Sequence, residues 1–108
     1  MDILHVLAIG PNHEDLEFTS KDAKDFAAAF ANQENRLFKK VFVRTLIDKN
    51  NTNKAAMERA LADLKNNYLY DVEEKISKND LVILFISSHG KKYADGSFKI
   101  LTSDFQMK

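Results

Sequence analysis

The groups best placed to do chemistry stand together in Ser87-Ser88-His89-Gly90, directly behind the apolar run Leu81 to Ile86. Two hydroxyls and an imidazole can hydrogen-bond a ligand and exchange protons, and the glycine lets another backbone come close. A second candidate is the polar loop Gly10 to Thr19, where His13, Glu14 and Asp15 are adjacent. No His-x-x-x-His or comparable ligand spacing occurs there, so a solvated acidic loop explains it and no metal is assigned. Asp95 and Asp104 are two carboxylates without a defined calcium loop. Cysteine is absent, which excludes disulfides, thiolate metal sites and a cysteine nucleophile within these residues.

The elements that must position His89 read as alternating strands and helices. Leu81 to Ile86 is apolar without alternation, as in a strand covered on both faces of a parallel sheet, and such sheets carry their reactive groups beyond the strands' carboxyl ends. The run Ile3 to Ile9, closed by Gly10-Pro11-Asn12, is a first strand, and His5 within it reads as a packed or edge side chain. Thr19-Ser-Lys-Asp22 has capping-box spacing and predicts a helix starting near Ser20, with Ala23, Phe26, Ala27 and Phe30 as its apolar stripe. Phe38 to Leu46 is a second strand. Thr52 is a candidate cap for a long amphipathic helix carrying Ala56, Met57, Ala60, Leu61, Leu64, Tyr68 and Val72, with a break near Asn66-Asn67. Beyond His89, a polar loop over Lys91 to Gly96 leads into a short strand, Ser97 to Leu101, making a short hairpin.

This order predicts an incomplete three-layer α/β/α sandwich with a mostly parallel sheet of about three strands, two main helices and a hairpin. The 108 residues form one domain at most. A sheet this narrow leaves an apolar edge unpaired, so the chain is expected to be part of a larger domain or to pair with another chain. Sixteen basic and sixteen acidic residues cancel, so no net field draws the chain to nucleic acid or to an anionic membrane, and the pairs Lys39-Lys40 and Lys91-Lys92 read as solvated surface. No secretory signal and no membrane-length apolar segment is present, and a cytoplasmic location is expected.

The ordered set of motifs resembles the caspase-like cysteine peptidases, a group that includes metacaspases and bacterial caspase-like domains. The set comprises Leu7-Ala-Ile-Gly10, Lys21-Asp-Ala23, Leu46-Ile-Asp48 with Thr52, and Asp80 with its apolar strand closing in Ser87-Ser-His-Gly90. The likeness runs from about Leu4 to Asp104 and covers the family's histidine-bearing, large-subunit half. It implies that residues 1–108 are the N-terminal part of a caspase-like domain, that His89 is the catalytic histidine, and that the Gly90 N–H is an oxyanion-hole donor. By analogy with metacaspases, Asp22 and Ser87 line the pocket for a basic P1 side chain. The chain has Ser88 where the family usually has glycine before the histidine. The implied partner is a peptide or protein substrate, with no cofactor.

Plainer readings stand beside these roles. Thr19 capping accounts for Asp22 without any function, Ser87 can satisfy a backbone group at its strand end, and Gly90 can be a turn glycine. A cysteine nucleophile is expected roughly fifty residues after the histidine, and nineteen residues follow His89 here. The resemblance therefore implies a histidine-bearing half that is inactive alone. The alternative is a non-catalytic caspase-like module that associates through its sheet edge. A flavodoxin-like or receiver-like domain ranks last, because the Gly10-Pro11 loop has neither a phosphate-cradling glycine cluster nor an acidic pair at a strand end.

Overall fold

The computed structural model describes residues 2–11, 17–48, 50–70, 75–87, 90–92, 94–95 and 98–100. Strand β1 (Ile3–Ile9) lies at the centre of a three-stranded parallel sheet, between β2 (Lys40–Leu46) and β3 (Leu81–Ile86). Helices α1 (Glu17–Ala31) and α2 (Lys54–Lys65) make the connections, and β4 (Gly90–Lys92) pairs antiparallel with β5 (Phe98–Ile100) in a separate hairpin. The chain is thus a small α/β fold with the predicted order of elements. Lys91 and Lys92, expected in a loop, belong to β4, since pairing of a short hairpin rests on backbone hydrogen bonds and does not require apolar side chains.

Alternation along β1 distributes the core to both faces of the sheet. Ala8 packs with Ala23 and Ala27 of α1, where three small side chains let the helix lie close, and Phe85 joins them by stacking on Phe26 at 4.1 Å. On the opposite face Leu7 and Ile9 meet Leu46, Met57, Ala60 and Leu69. Arg44 ties this side together, donating from Nη1 to Asp63 Oδ2 at 2.9 Å and to the Leu69 carbonyl at 3.0 Å.

Two helix starts differ from expectation. α1 begins at Glu17, so Thr19 is already helical and the Asp22 N–H falls where a helix bonds it to the carbonyl four residues back, not to a capping hydroxyl. α2 is capped by Asn53, whose Oδ1 accepts from Ala56 N at 2.8 Å, while Thr52 is buried and donates from Oγ1 to the Asp48 carbonyl at 2.8 Å. The α2 helix ends at Lys65, with Asn66 as C-cap and Asn67 at φ 66°, where the break is expected. Tyr68 follows the helix and pairs with Lys75 in an isolated bridge. Val72 lies outside the described residues.

The larger correction concerns β3. Its six apolar residues predict burial on both faces, yet Val82 is 39% and Leu84 46% exposed. The helix on that face packs over β1 and β2, through Leu7, Ile9 and Leu46, and of β3 only Ile86 joins that cluster. The strand buried from its second residue onward is β1, where Leu4 and Val6 to Ile9 are all fully buried. Among the described residues the unbroken apolar run therefore forms an edge strand, while the central strand carries His5 within its run.

Candidate functional site

The carboxyl ends of the strands converge through backbone hydrogen bonds. Gly10 N donates to the Leu46 carbonyl at 2.9 Å, and Ser87 N donates to the Ile9 carbonyl at 2.9 Å, so Ser87 continues the β3 ladder one step past the strand. With its backbone fixed there, Ser87 turns its hydroxyl to α1 and donates from Oγ to Asp22 Oδ2 at 3.1 Å. These two residues are 65 apart in sequence. The fold thus brings together the two side chains that the resemblance singles out for a basic P1 group.

The capping explanation of Asp22 does not survive, because α1 starts ahead of Thr19. Asp22 stands on an exposed turn of α1 with its carboxylate oriented by Ser87. Lys21 beside it is occupied elsewhere: its Nζ pairs with Asp25 Oδ2 at 2.7 Å. That hydrogen bond is the first cause of the raised Lys21 pKa, and Asp22 contributes least to it. A carboxylate accepts several donors, so Asp22 retains the capacity to accept further hydrogen bonds while bonded to Ser87. A cleft lined by Ser20, Lys21, Lys24, Ile47 and Asp48 opens on the same end of the sheet.

Gly90 begins β4, three residues past Ser87, in register with Ile100. His89 and Ser88 lie outside the described residues, as do His13, Glu14, Asp15 and Asp104. Among the described residues no group of three or more His, Asp or Glu side chains is arranged to hold a metal ion, and no helix is long and apolar enough to cross a membrane.

At the opposite, amino end of the sheet is a pairing that sequence reading misses. His5, 1% exposed, donates from Nε2 to Asp80 Oδ2 at 2.9 Å and stacks on Phe42 with ring centroids 5.3 Å apart. The same Asp80 oxygen accepts Ser77 N at 2.9 Å, closing the turn that leads into β3. First the Ser77 N–H and then the His5 hydrogen bond hold the Asp80 carboxyl below its ordinary value of 3.8. His5 Nδ1 is buried without a hydrogen-bond partner. A bare ring nitrogen is cheaper to bury than an unpaired N–H, so the Nε2–H tautomer is the one this site favours. The available signal was weak: a histidine inside a strand and an aspartate just before another. A neighbouring cleft, lined by Asp2, Ile3, Lys78, Asn79 and Asp80, lies at this amino end of the sheet, away from the Asp22–Ser87 pair. Against this geometry, no family model, no curated protein and no solved structure matches the chain.

Proposed function

We propose that the chain is the histidine-bearing part of a caspase-like, metacaspase-like cysteine endopeptidase domain. The observation that carries this reading is the Ser87–Asp22 hydrogen bond at the carboxyl end of a parallel sheet, just ahead of His89-Gly90. In the proposed reaction a thiolate attacks the peptide carbonyl. His89 accepts the thiol proton and returns it to the leaving amine, and the Gly90 N–H stabilises the developing oxyanion. Asp22, held by Ser87, supplies the counter-charge for an arginine or lysine P1 side chain. The 108 residues contain no cysteine, so the thiol must come from outside them and the chain alone is catalytically silent. No cofactor enters this scheme.

Two measurements test it. Reading the parent coding frame beyond Lys108 should reveal a strand ending in cysteine roughly fifty residues after His89; an intact frame lacking one overturns the proposal. Titrating the chain with a guanidinium ligand such as agmatine should shift the Asp22 and Ser87 amide resonances. Asp22→Ala should abolish that response.

A second reading is favoured by β3, which has no strand on its outer side among the described residues and whose Val82 and Leu84 are exposed: a non-catalytic module that associates through this edge. Rapid hydrogen exchange at the outward-pointing β3 amides of the dilute chain is its expected signature, and protection of those amides overturns it.

A further inference from the structure

The Asp22–Ser87 hydrogen bond lies in the open, and a bond exposed to competing water adds too little to hold a helix at a fixed distance from a strand. Packing beneath it must set that distance. One level down, Phe26 of α1 and Phe85 of β3 stack with ring centroids 4.1 Å apart and planes 11° from parallel. Phe26 is four residues along the helix from Asp22 and shares its side of α1. Phe85 is two residues before Ser87, which continues the β3 ladder, so both lie on the α1 face of the sheet. The advances match. Because α1 returns between two parallel strands, stepping from Phe26 back to Asp22 climbs about 6 Å towards the carboxyl end of the sheet, and stepping from Phe85 forward to Ser87 climbs about 6.6 Å the same way. A stack at the lower level thus carries over into a pair at the upper one. Ala23 and Ala27 set the depth of α1 over β1 through Ala8, which leaves the placement of the helix against β3 to the stack.

We propose that Phe26 and Phe85 are positioning residues for the Asp22 carboxylate: their stack fixes α1 against β3 at the spacing where Ser87 Oγ reaches Asp22. Phe30 supplies an internal control. It meets Phe26 at 4.8 Å with the rings tilted by 43°, and it stands eight residues from Asp22, further from the carboxyl end of the sheet. Shortening Phe30 removes an aromatic contact within α1 and leaves the contact to β3 in place. As the support of a hydrogen bond the stack needs no ligand. As the support of a P1 site it rests on the basic-substrate reading above.

The hydrogen bond is read from the carboxyl carbon resonance of Asp22, which Ser87→Ala should shift. In Phe26→Leu or Phe85→Leu the resonance should already stand at the shifted position, and adding Ser87→Ala should move it no further, the non-additivity expected of groups that act as one unit. Phe26→Tyr, which keeps the ring, should retain the full Ser87→Ala response, and so should Phe30→Leu. Phe26→Leu, at a half-buried position, is the milder of the two stack variants, and an unchanged amide spectrum for the rest of α1 shows that the helix is intact. The proposal is overturned if Ser87→Ala leaves Asp22 unmoved in the otherwise unmutated chain, if the response survives Phe26→Leu, or if Phe30→Leu abolishes it equally. Agmatine separates this proposal from the P1 reading: its binding should weaken in Phe26→Leu and Phe85→Leu and hold in Phe30→Leu. Binding unchanged in the stack variants overturns the positioning role, whereas no agmatine response in any chain overturns the basic P1 site and leaves the stack as the support of the hydrogen bond.

Discussion

The two ends of the sheet hold parallel constructions of opposite character. At the amino end His5 and Asp80, 75 residues apart, are joined by a 2.9 Å hydrogen bond with the imidazole fully enclosed. At the carboxyl end Asp22 and Ser87, 65 residues apart, are joined by a 3.1 Å bond in the open. Each clamps a flanking segment to the sheet, but the first encloses its imidazole whereas the second is exposed. Burial makes the first pair a support for the fold, whereas the second pair is exposed. In water an acid–hydroxyl contact adds little to stability, because solvent competes for both partners.

The sharpest way to break this contrast is at Asp80. Asp80→Ala leaves the buried His5 Nε2–H and Ser77 N without their acceptor, and should cost about 2–3 kcal/mol, measured by urea denaturation. If the cost matches that of Asp22→Ala, burial is not what separates the two ends. Acid provides the next test. The Asp80 pKa is lowered in the folded chain, so its contribution is complete above the ordinary value of 3.8 and is lost as pH falls through the lower folded value. The unfolding midpoint should therefore drop on the acid side, and Asp80→Asn should flatten its share of that drop. At the other end, Ser87→Ala should cost no more than about 0.5 kcal/mol, while weakening the agmatine response at Asp22. Smallest of all, Asp22→Ala should leave the urea midpoint essentially unmoved and remove ligand binding. A large stability loss there would reclassify the carboxyl-end pair as structural.

Local signals carried much of this architecture. β1 and β3 run over Ile3–Ile9 and Leu81–Ile86 as their apolar runs indicate, and α2 stops at the Asn66-Asn67 break. Capping was less legible. Thr19-x-x-Asp22 has the spacing of a box, but helical residues precede it, and Thr52 lost the cap to Asn53 when its hydroxyl was drawn inward to Asp48. A spacing rule sees neighbours along the chain. It does not see which competing hydrogen bond tertiary packing makes available.

What the sequence by itself determined is the order and type of the elements, because hydrophobic periodicity and turn residues act within a few positions of one another. It also determined that any thiol chemistry must draw on a residue outside these 108. Tertiary structure alone decided which apolar strand is central, since the sequence points to β3 as the strand covered on both faces, yet β1 lies between β2 and β3 and α2 packs over β1 and β2. It likewise decided the partners of Asp22 and His5. Such pairings join residues whole elements apart, and only the sheet's register brings them within hydrogen-bonding distance.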